Sequence, residues 1–219
     1  MIIKNLLDDN EIDLLNNLPK KIKMSDGVIF DPFVKFPELT KLIMKPELIN
    51  TLNEILGKDF IFLPDSTLHK NRRNVMHTDT TSWIQSGMDL FKENLSFKMI
   101  TLGIYGQDSM NGQGLRIVDG SHNENDPYLA IRKNILMKFL RKVLPERIYK
   151  YFHLKNFKGV DLKTDAGDAI IFDVRVWHRS QYKKIFSKNV EKERIAIFRG
   201  FVRIILSFQK NILIIAPKK

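Results

Sequence analysis

The chain has 219 residues, of which 43% are hydrophobic and 28% charged, and this suits one globular domain over residues 1–219. Its net charge of +11 would suit a polyanion-binding protein. However, the lysines are scattered along the chain, and no arginine-rich or aromatic-interleaved patch is present. We therefore expect a solvated basic surface and no specific nucleic-acid partner. The absence of cysteine excludes disulfides and thiolate metal ligands.

No apolar run approaches the roughly twenty residues that a membrane span requires. The first seven residues are too short for the apolar core of a signal peptide, and an acidic stretch follows them at once. These features predict a cytoplasmic protein without a membrane span. The sequence carries no signal for the oligomeric state.

Residues 1–59 are predicted to be mostly helical. Asp8 is followed three residues later by Glu11, which indicates a capping box at the start of a short helix. Pro37 and Pro46 each suit the first turn of a further helix, because proline is pre-organised for that position.

Residues 60–210 are predicted to form the strand-rich core. Short apolar or alternating runs, separated by Gly, Asn and Asp, occur at 60–63, 97–105, 115–118, 170–180 and 194–206. Such spacing is typical of a β-sandwich or jelly roll. One interruption, at 127–144, has the apolar periodicity of a helix and is followed by a proline.

Three residues of this region match the donor set of a metal site. His77 and Asp79 stand two residues apart, so on a strand both side chains point to one face, close enough to bind one ion. His178 ends the run at 170–180, whose even-numbered residues share one face of a strand. Two histidines and one carboxylate, with further positions open, are the donors of non-haem Fe(II) oxygenases. A lone core histidine is more often only hydrogen-bonded, and a His-x-Asp pair alone is a weak signal.

The order of motifs along the chain is more specific. The His-x-Asp pair is followed by Gly114-Leu-Arg-Ile-Val-Asp-Gly-Ser-His122, then Ala166-Gly-Asp-Ala-Ile-Ile-Phe172, then His178-Arg-Ser180 and Arg194-Ile-Ala. This succession resembles the phytanoyl-CoA dioxygenase family of Fe(II)- and 2-oxoglutarate-dependent oxygenases over roughly residues 75–198. The resemblance implies a mainly β fold, the double-stranded β-helix (jelly roll, cupin-like), with flanking helices.

The resemblance also implies roles for individual residues. His77, Asp79 and His178 would be the catalytic Fe(II) ligands. In the resembled family, an arginine on the strand after the second histidine binds the distal carboxylate of 2-oxoglutarate, and Arg194 is the best match to it. Ser180 matches the Ser/Thr that assists this arginine. The planar guanidinium suits the task because it matches a carboxylate with two parallel hydrogen bonds.

Alternatives remain for the carboxylate-binding residues. Arg199 is the nearest rival, although its odd spacing from Arg194 aims it at the opposite face of a strand. Arg194 itself is also consistent with a surface ion pair to Glu191 or Glu193. Ser180 is also consistent with a turn serine that bonds its own backbone.

Two residues near the His-x-Asp pair are candidates for substrate binding. Trp83 continues the parity of the pair, and family members acting on small polar substrates have a pocket-lining aromatic residue just past it. Trp83 suits a core tryptophan equally well. Arg73 is a candidate contact for an anionic group on the substrate, with a solvent-facing arginine as its alternative.

The remaining three histidines carry no metal-binding pattern. His122, in the Gly-Ser-His segment, is expected to shape a turn after a strand. His69 and His153 have no partner pattern and are interpreted as ordinary.

Three functional hypotheses follow. The first is an Fe(II)- and 2-oxoglutarate-dependent dioxygenase that hydroxylates a small organic substrate and releases succinate and CO2. The second is a cupin-like hydrolase or isomerase that uses Zn2+ or Mn2+ on the same three ligands and needs no arginine for a cosubstrate. The third, a basic nucleic-acid-binding protein, leaves the order of the metal-ligand motif unexplained.

Overall fold

The structure is a computed structural model that describes residues 1–20, 27–72, 74, 76–80, 98–110, 113–122, 139, 142, 143, 159–181 and 193–203. Arg73 and Trp83 lie outside these residues, and so does the predicted helix at 127–144 apart from positions 139, 142 and 143. Residues 97 and 204–206 of two predicted strands are outside as well. In the part of the chain that is described, no helix has the length and apolar character to cross a membrane.

Short helices dominate the N-terminal part, as predicted. They are α1 (Asp9–Asn17), α2 (Pro32–Lys35), α3 (Thr40–Ile43) and α4 (Pro46–Leu56). The capping box is confirmed, because the Glu11 backbone N–H donates to the Asp8 carboxylate at 2.9 Å and the Glu11 carboxylate accepts from the Asp8 N–H at 3.0 Å. Helix α4 begins at Pro46, as the sequence predicted.

The strands form two antiparallel sheets. They are β1 (Ile2–Ile3), β2 (Val28–Phe30), β3 (Phe60–Lys70), β4 (Met99–Tyr105), β5 (Leu115–Ile117), β6 (Val160–Asp161), β7 (Ala169–Asp173), β8 (His178–Ser180) and β9 (Ile195–Arg203). The larger sheet has the order β1-β7-β4-β9-β3-β2, and the smaller one has the order β6-β5-β8. Since β1 and β2 belong to the larger sheet, the N-terminal part supplies strands as well as helices.

The larger sheet is covered on both faces, and strand β9 illustrates the alternation. Ile195, Ile197 and Phe201 belong to the apolar cluster between this sheet and the helices. Ala196 and Phe198 belong to a second cluster that includes side chains of the smaller sheet. The molecule is therefore layered as helices, large sheet and small sheet, and the space between the two sheets contains the site described below.

The predicted single strand at 170–180 is wrong: it is two strands in different sheets. Strand β7 ends at Asp173, whose carboxylate accepts from the Arg175 N–H at 2.9 Å and binds the Arg175 guanidinium at 2.8 and 2.7 Å. The Val176 N–H donates to the Asp173 carbonyl at 2.9 Å. This turn carries the chain from the large sheet to the small one, where β8 begins at His178. Apolar alternation continues through the turn, so the pattern alone could not reveal it.

Candidate metal centre

Backbone pairing brings two distant histidines side by side. The His77 N–H donates to the His178 carbonyl, the His178 N–H donates to the His77 carbonyl, and both distances are 2.9 Å. A pair of residues that exchange two hydrogen bonds across antiparallel strands carry their side chains on the same face. The two imidazole rings are accordingly 4.3 Å apart between centroids.

Asp79 completes the group. Its N–H donates to the Val174 carbonyl at 3.0 Å, which fixes the segment after His77 against the turn before β8. Asp79 Oδ1 lies 3.7 Å from His77 Nε2 and 3.4 Å from His178 Nε2. One ligand atom from each of the three side chains can be chosen so that all lie within 4.8 Å of one another.

The surroundings of these side chains favour metal binding. His178 Nδ1 lies 2.9 Å from the Val176 carbonyl, so its proton resides there and Nε2 keeps a lone pair that faces Asp79. The Thr101 hydroxyl donates to Asp79 Oδ2 at 2.5 Å and leaves Oδ1 for an ion. Metal-to-ligand distances of about 2.0–2.2 Å separate two ligands of one ion by roughly 3 to 4 Å. The three residues therefore fit a divalent cation, and the mixed nitrogen and oxygen donors suit a first-row transition metal.

A cavity of about 590 Å³ opens from this group. The three candidate ligands line it together with the two residues that the sequence assigned to a carboxylate, Ser180 and Arg194. Ser180 Oγ accepts a hydrogen bond from the Asn74 N–H at 3.1 Å. Its own proton is therefore available to a ligand in the cavity.

Arg194 is a buried cation with no carboxylate beside it. It is only 1% exposed, Nε donates to the Gln113 carbonyl at 3.0 Å and Nη1 to the Arg72 carbonyl at 2.8 Å. Among the described residues no acidic group lies within ion-pair distance of its guanidinium. The alternative expectation of a surface ion pair between Arg194 and Glu193 is wrong, because Glu193 pairs with Lys70 at 2.8 Å. Glu191 lies outside the described residues.

Arg199 is the alternative candidate for binding the distal carboxylate. Its side chain projects from the face of β9 opposite to that of Arg194. Its guanidinium carbon lies 5.0 Å from the Phe33 ring centroid and 5.6 Å from that of Phe62. Arg199 is nevertheless among the residues that line the cavity. Burial lowers the pKa of Arg199, and the carboxylate of Asp31 opposes this effect. The aromatic packing therefore gives Arg199 a structural role on the helical side of the sheet.

His69, which the sequence indicated to be an ordinary histidine, lines the same cavity. It is 8% exposed, its ring packs 5.0 Å from that of Phe198, and it makes no side-chain hydrogen bond to any described residue. Burial, followed by the positive charges of Arg194 and Arg72, lowers its pKa to about 4. His69 is thus a neutral imidazole in the wall of the cavity. No local pattern marks it, because its position depends on the pairing of β3 with β9.

The expected turn at Gly120-Ser-His122 is confirmed. Gly120 has a φ of 71°, which glycine adopts without strain. Ser121 Oγ donates to the Val118 carbonyl at 2.6 Å and accepts from the Trp177 N–H at 2.9 Å. His122 is exposed and does not line the cavity. Trp83 and Arg73 remain predictions.

Solved structures with the same fold were found, although no protein-family profile matches the sequence and no curated protein matches it. HygX from Streptomyces hygroscopicus with nickel and 2-oxoglutarate bound superposes with a TM-score of 0.65 at 15% identity, over 93% of this chain and 81% of HygX. EctD from S. alaskensis with 2-oxoglutarate and 5-hydroxyectoine superposes with a TM-score of 0.62 at 15% identity, over 93% of this chain and 71% of EctD. The non-heme alpha ketoglutarate dependent epimerase SnoN superposes with a TM-score of 0.58 at 12% identity, over 93% of this chain and 77% of SnoN. The predicted jelly-roll fold with flanking helices is confirmed.

Proposed function

We propose that this protein is an Fe(II)- and 2-oxoglutarate-dependent dioxygenase that hydroxylates a small organic substrate and releases succinate and CO2. One observation carries the proposal: a single cavity is lined both by a His-Asp-His donor set and by a buried arginine that has no acidic partner among the described residues. The first feature suits the metal and the second suits a dicarboxylate cosubstrate. A hydrolase or isomerase on the same donor set would leave the arginine without a role.

His77, Asp79 and His178 would hold the metal. Fe(II), when bound, supplies open coordination positions for the keto acid and O2 and the redox chemistry that couples decarboxylation to C–H oxidation. The protein contributes orientation, since the Val176 carbonyl fixes the tautomer of His178 and Thr101 fixes one carboxylate oxygen of Asp79.

Arg194 and Ser180 would bind the distal carboxylate of 2-oxoglutarate. The two main-chain carbonyls that accept from Arg194 do not neutralise its charge, and a buried cation without a counter-ion is costly. A carboxylate in the cavity would supply the missing charge and accept the free Ser180 proton. Binding of the cosubstrate would therefore remove an electrostatic cost that the free protein carries.

The similar structures support the kind of enzyme but not the reaction. HygX has been solved with nickel and 2-oxoglutarate bound, and EctD with 2-oxoglutarate and 5-hydroxyectoine. SnoN, with the same fold, is described as an epimerase. We therefore propose hydroxylation as the outcome to be tested against epimerisation, and the test must detect oxygen transfer.

Two measurements test the proposal. Addition of 2-oxoglutarate to the anaerobic Fe(II)-loaded protein should produce a visible charge-transfer band, and the His178→Ala protein should show none. Aerobic screening of a substrate library should then give succinate together with a product that is heavier by one oxygen atom. Absence of the band would favour the hydrolase or isomerase. A turnover product of unchanged mass would replace hydroxylation by epimerisation.

A further inference from the structure

The cavity has an open rim at strands β2 and β3, where an aromatic side chain is left uncovered. Phe30 pairs with Thr67, and its predecessor Ile29 is buried against the helices. Because side chains alternate along a strand, Phe30 lies on the cavity side of the sheet. It lines the cavity and is 64% exposed.

A carboxylate, that of Asp65, lies on the neighbouring strand two residues before Thr67, the partner of Phe30. Strand β3 pairs with β9 up to Phe62 and again from Ser66, and the register shifts between them. Pro64, which has no N–H to donate, lies in this bulge. Leu63 and Asp65 of the bulge both line the cavity. Asp65 makes no hydrogen bond or ion pair with any described residue.

The charges around Asp65 favour a cation beside it. Asp65 is an exposed residue, but desolvation by the surrounding protein raises the pKa of its carboxyl group, and the neighbouring carboxylates of Asp79 and Asp31 raise it further. Three arginines line the cavity. Arg72 and Arg194 act together on His69, whereas the guanidinium of Arg199 packs on Phe33 and Phe62. The cavity therefore has a positive region around His69 and a carboxylate at the rim.

The register of the sheet gives the separation between Asp65 and the candidate metal ligands. Gly200 pairs with Thr101 on β4, and Thr101 donates to Asp79. On the other side of β9, Arg199 pairs with Ser66, so the strand segment with Asp65 lies near Gly200. Adjacent strands are about 4.8 Å apart, so two strand spacings, roughly 10 Å, separate Asp65 from Thr101. That is the length of a small organic molecule.

The space between these points is apolar. Leu63 packs over Gly200, where an added Cβ would lie 3.0 Å from Leu63 Cδ1. Leu63, Met99 and Val174 line this side of the cavity. A ligand that extends from Asp65 to the metal ligands would thus present a hydrocarbon segment to the wall and a charged end to the rim.

We propose that Asp65 and Phe30 bind a positively charged group of the substrate, such as a protonated or quaternary amine. This inference rests on the proposed function, since the metal centre oxidises the hydrocarbon segment of that substrate. The carboxylate of Asp65 pairs with the cation, and the face of the Phe30 ring attracts it through the ring quadrupole. A cationic substrate differs from the anionic one that Arg73 suggested, and it complements the 2-oxoglutarate dianion beside Arg194.

The test measures binding and needs no turnover. Nickel-loaded protein with 2-oxoglutarate is titrated with n-butylammonium, phenethylammonium and choline, and with n-butanol and 2-phenylethanol as neutral analogues, by ligand-observed NMR. The cations should bind in preference to their neutral analogues. Asp65→Asn should weaken binding of the cations roughly tenfold. Phe30→Leu should weaken it roughly two- to fivefold. Asp59→Asn is the matched control, since Asp59 is an exposed carboxylate that neither lines the cavity nor acts on Asp65, and this variant should retain the affinity.

Each outcome decides between the two proposals. Equal binding of cations and neutral analogues, no binding of any cation, or an unchanged affinity in Asp65→Asn would overturn the cationic subsite. The charge-transfer band of the Fe(II) and 2-oxoglutarate complex is recorded on the same wild-type protein. A protein that shows the band but no Asp65-dependent cation binding fails only this inference. A protein without the band fails the proposed function.

Discussion

Replacement of Arg194 by alanine tests the proposed dicarboxylate site directly. The guanidinium is 1% exposed, so solvent screens its charge little, and no acidic side chain among the described residues neutralises it. Loss of one partner of a buried charge pair costs roughly 3–5 kcal/mol. At 1.4 kcal/mol for each factor of ten, the dissociation constant of 2-oxoglutarate should rise about 100- to 4000-fold. Ser180→Ala removes one hydroxyl and should cost about 1 kcal/mol, or roughly fivefold.

The assay is calorimetric titration of 2-oxoglutarate into nickel-loaded protein, which avoids turnover. Arg199→Ala is the matched control, because that arginine packs on Phe33 and Phe62 on the opposite face. Its dissociation constant should stay close to that of the wild type. A large effect of Arg199→Ala together with a small effect of Arg194→Ala would refute the reasoning and transfer the role to Arg199.

Folding of the Arg194 variant needs its own check. Truncation removes the guanidinium donor from the Arg72 carbonyl and leaves the Gln113 carbonyl with only the Gln107 amide at 3.4 Å. Loss of a donor to a buried carbonyl can lower the free energy of unfolding by about 1–3 kcal/mol. Arg194→Lys keeps the charge but cannot make two parallel hydrogen bonds, so its affinity should fall between wild type and Arg194→Ala. Thermal unfolding of each variant separates loss of binding from loss of fold.

Two further predictions concern histidines that line the cavity, with the exposed His122 as their common control. His77→Ala and His178→Ala should each abolish stoichiometric Fe(II) binding, measured by equilibrium dialysis, while His122→Ala binds as wild type; retention of the metal by either variant would mean that the ligands are misassigned. His69 has a folded pKa of about 4 against 6.5 in the unfolded chain, so the unfolded state takes up a proton first as the pH falls. Stability should therefore decline from about pH 6.5 to pH 4, by about 3 kcal/mol for this group. In urea unfolding across that range, His69→Gln should lose this part of the decline and His122→Gln should keep it; equal pH profiles would contradict the assignment.

The sequence predicted well those features that neighbouring residues determine. The capping box needs only Asp8 and Glu11, which are three positions apart, and α4 begins at the proline that suits a first turn. The shared orientation of His77 and Asp79 likewise follows from strand geometry. The jelly-roll fold could be predicted because the motifs occur along the chain in an order characteristic of it.

Features that depend on strand register were beyond sequence patterns. The turn after Asp173 preserves the alternation of apolar residues, so one strand was expected where there are two. His69 seemed ordinary because its burial arises from β2 on one side and β9 on the other. The surface pairing considered for Arg194 was local, whereas its carbonyl acceptors lie 81 and 122 residues away along the chain.

The bulge in β3 divides that strand into two parts that contribute differently to the cavity. Residues Ser66–Lys70 pair with β9 and hold His69 beside Arg194, whereas residues 63–65 lie at the register shift. Substitution or lengthening at 63–65 thus disturbs few ladder hydrogen bonds and leaves the metal ligands in place. Under the proposed function, substrate preference can then diversify in this short segment without any change to the residues proposed for the oxidative chemistry. For the same reason, residues 63–65 are where a mutant library aimed at new substrates should begin.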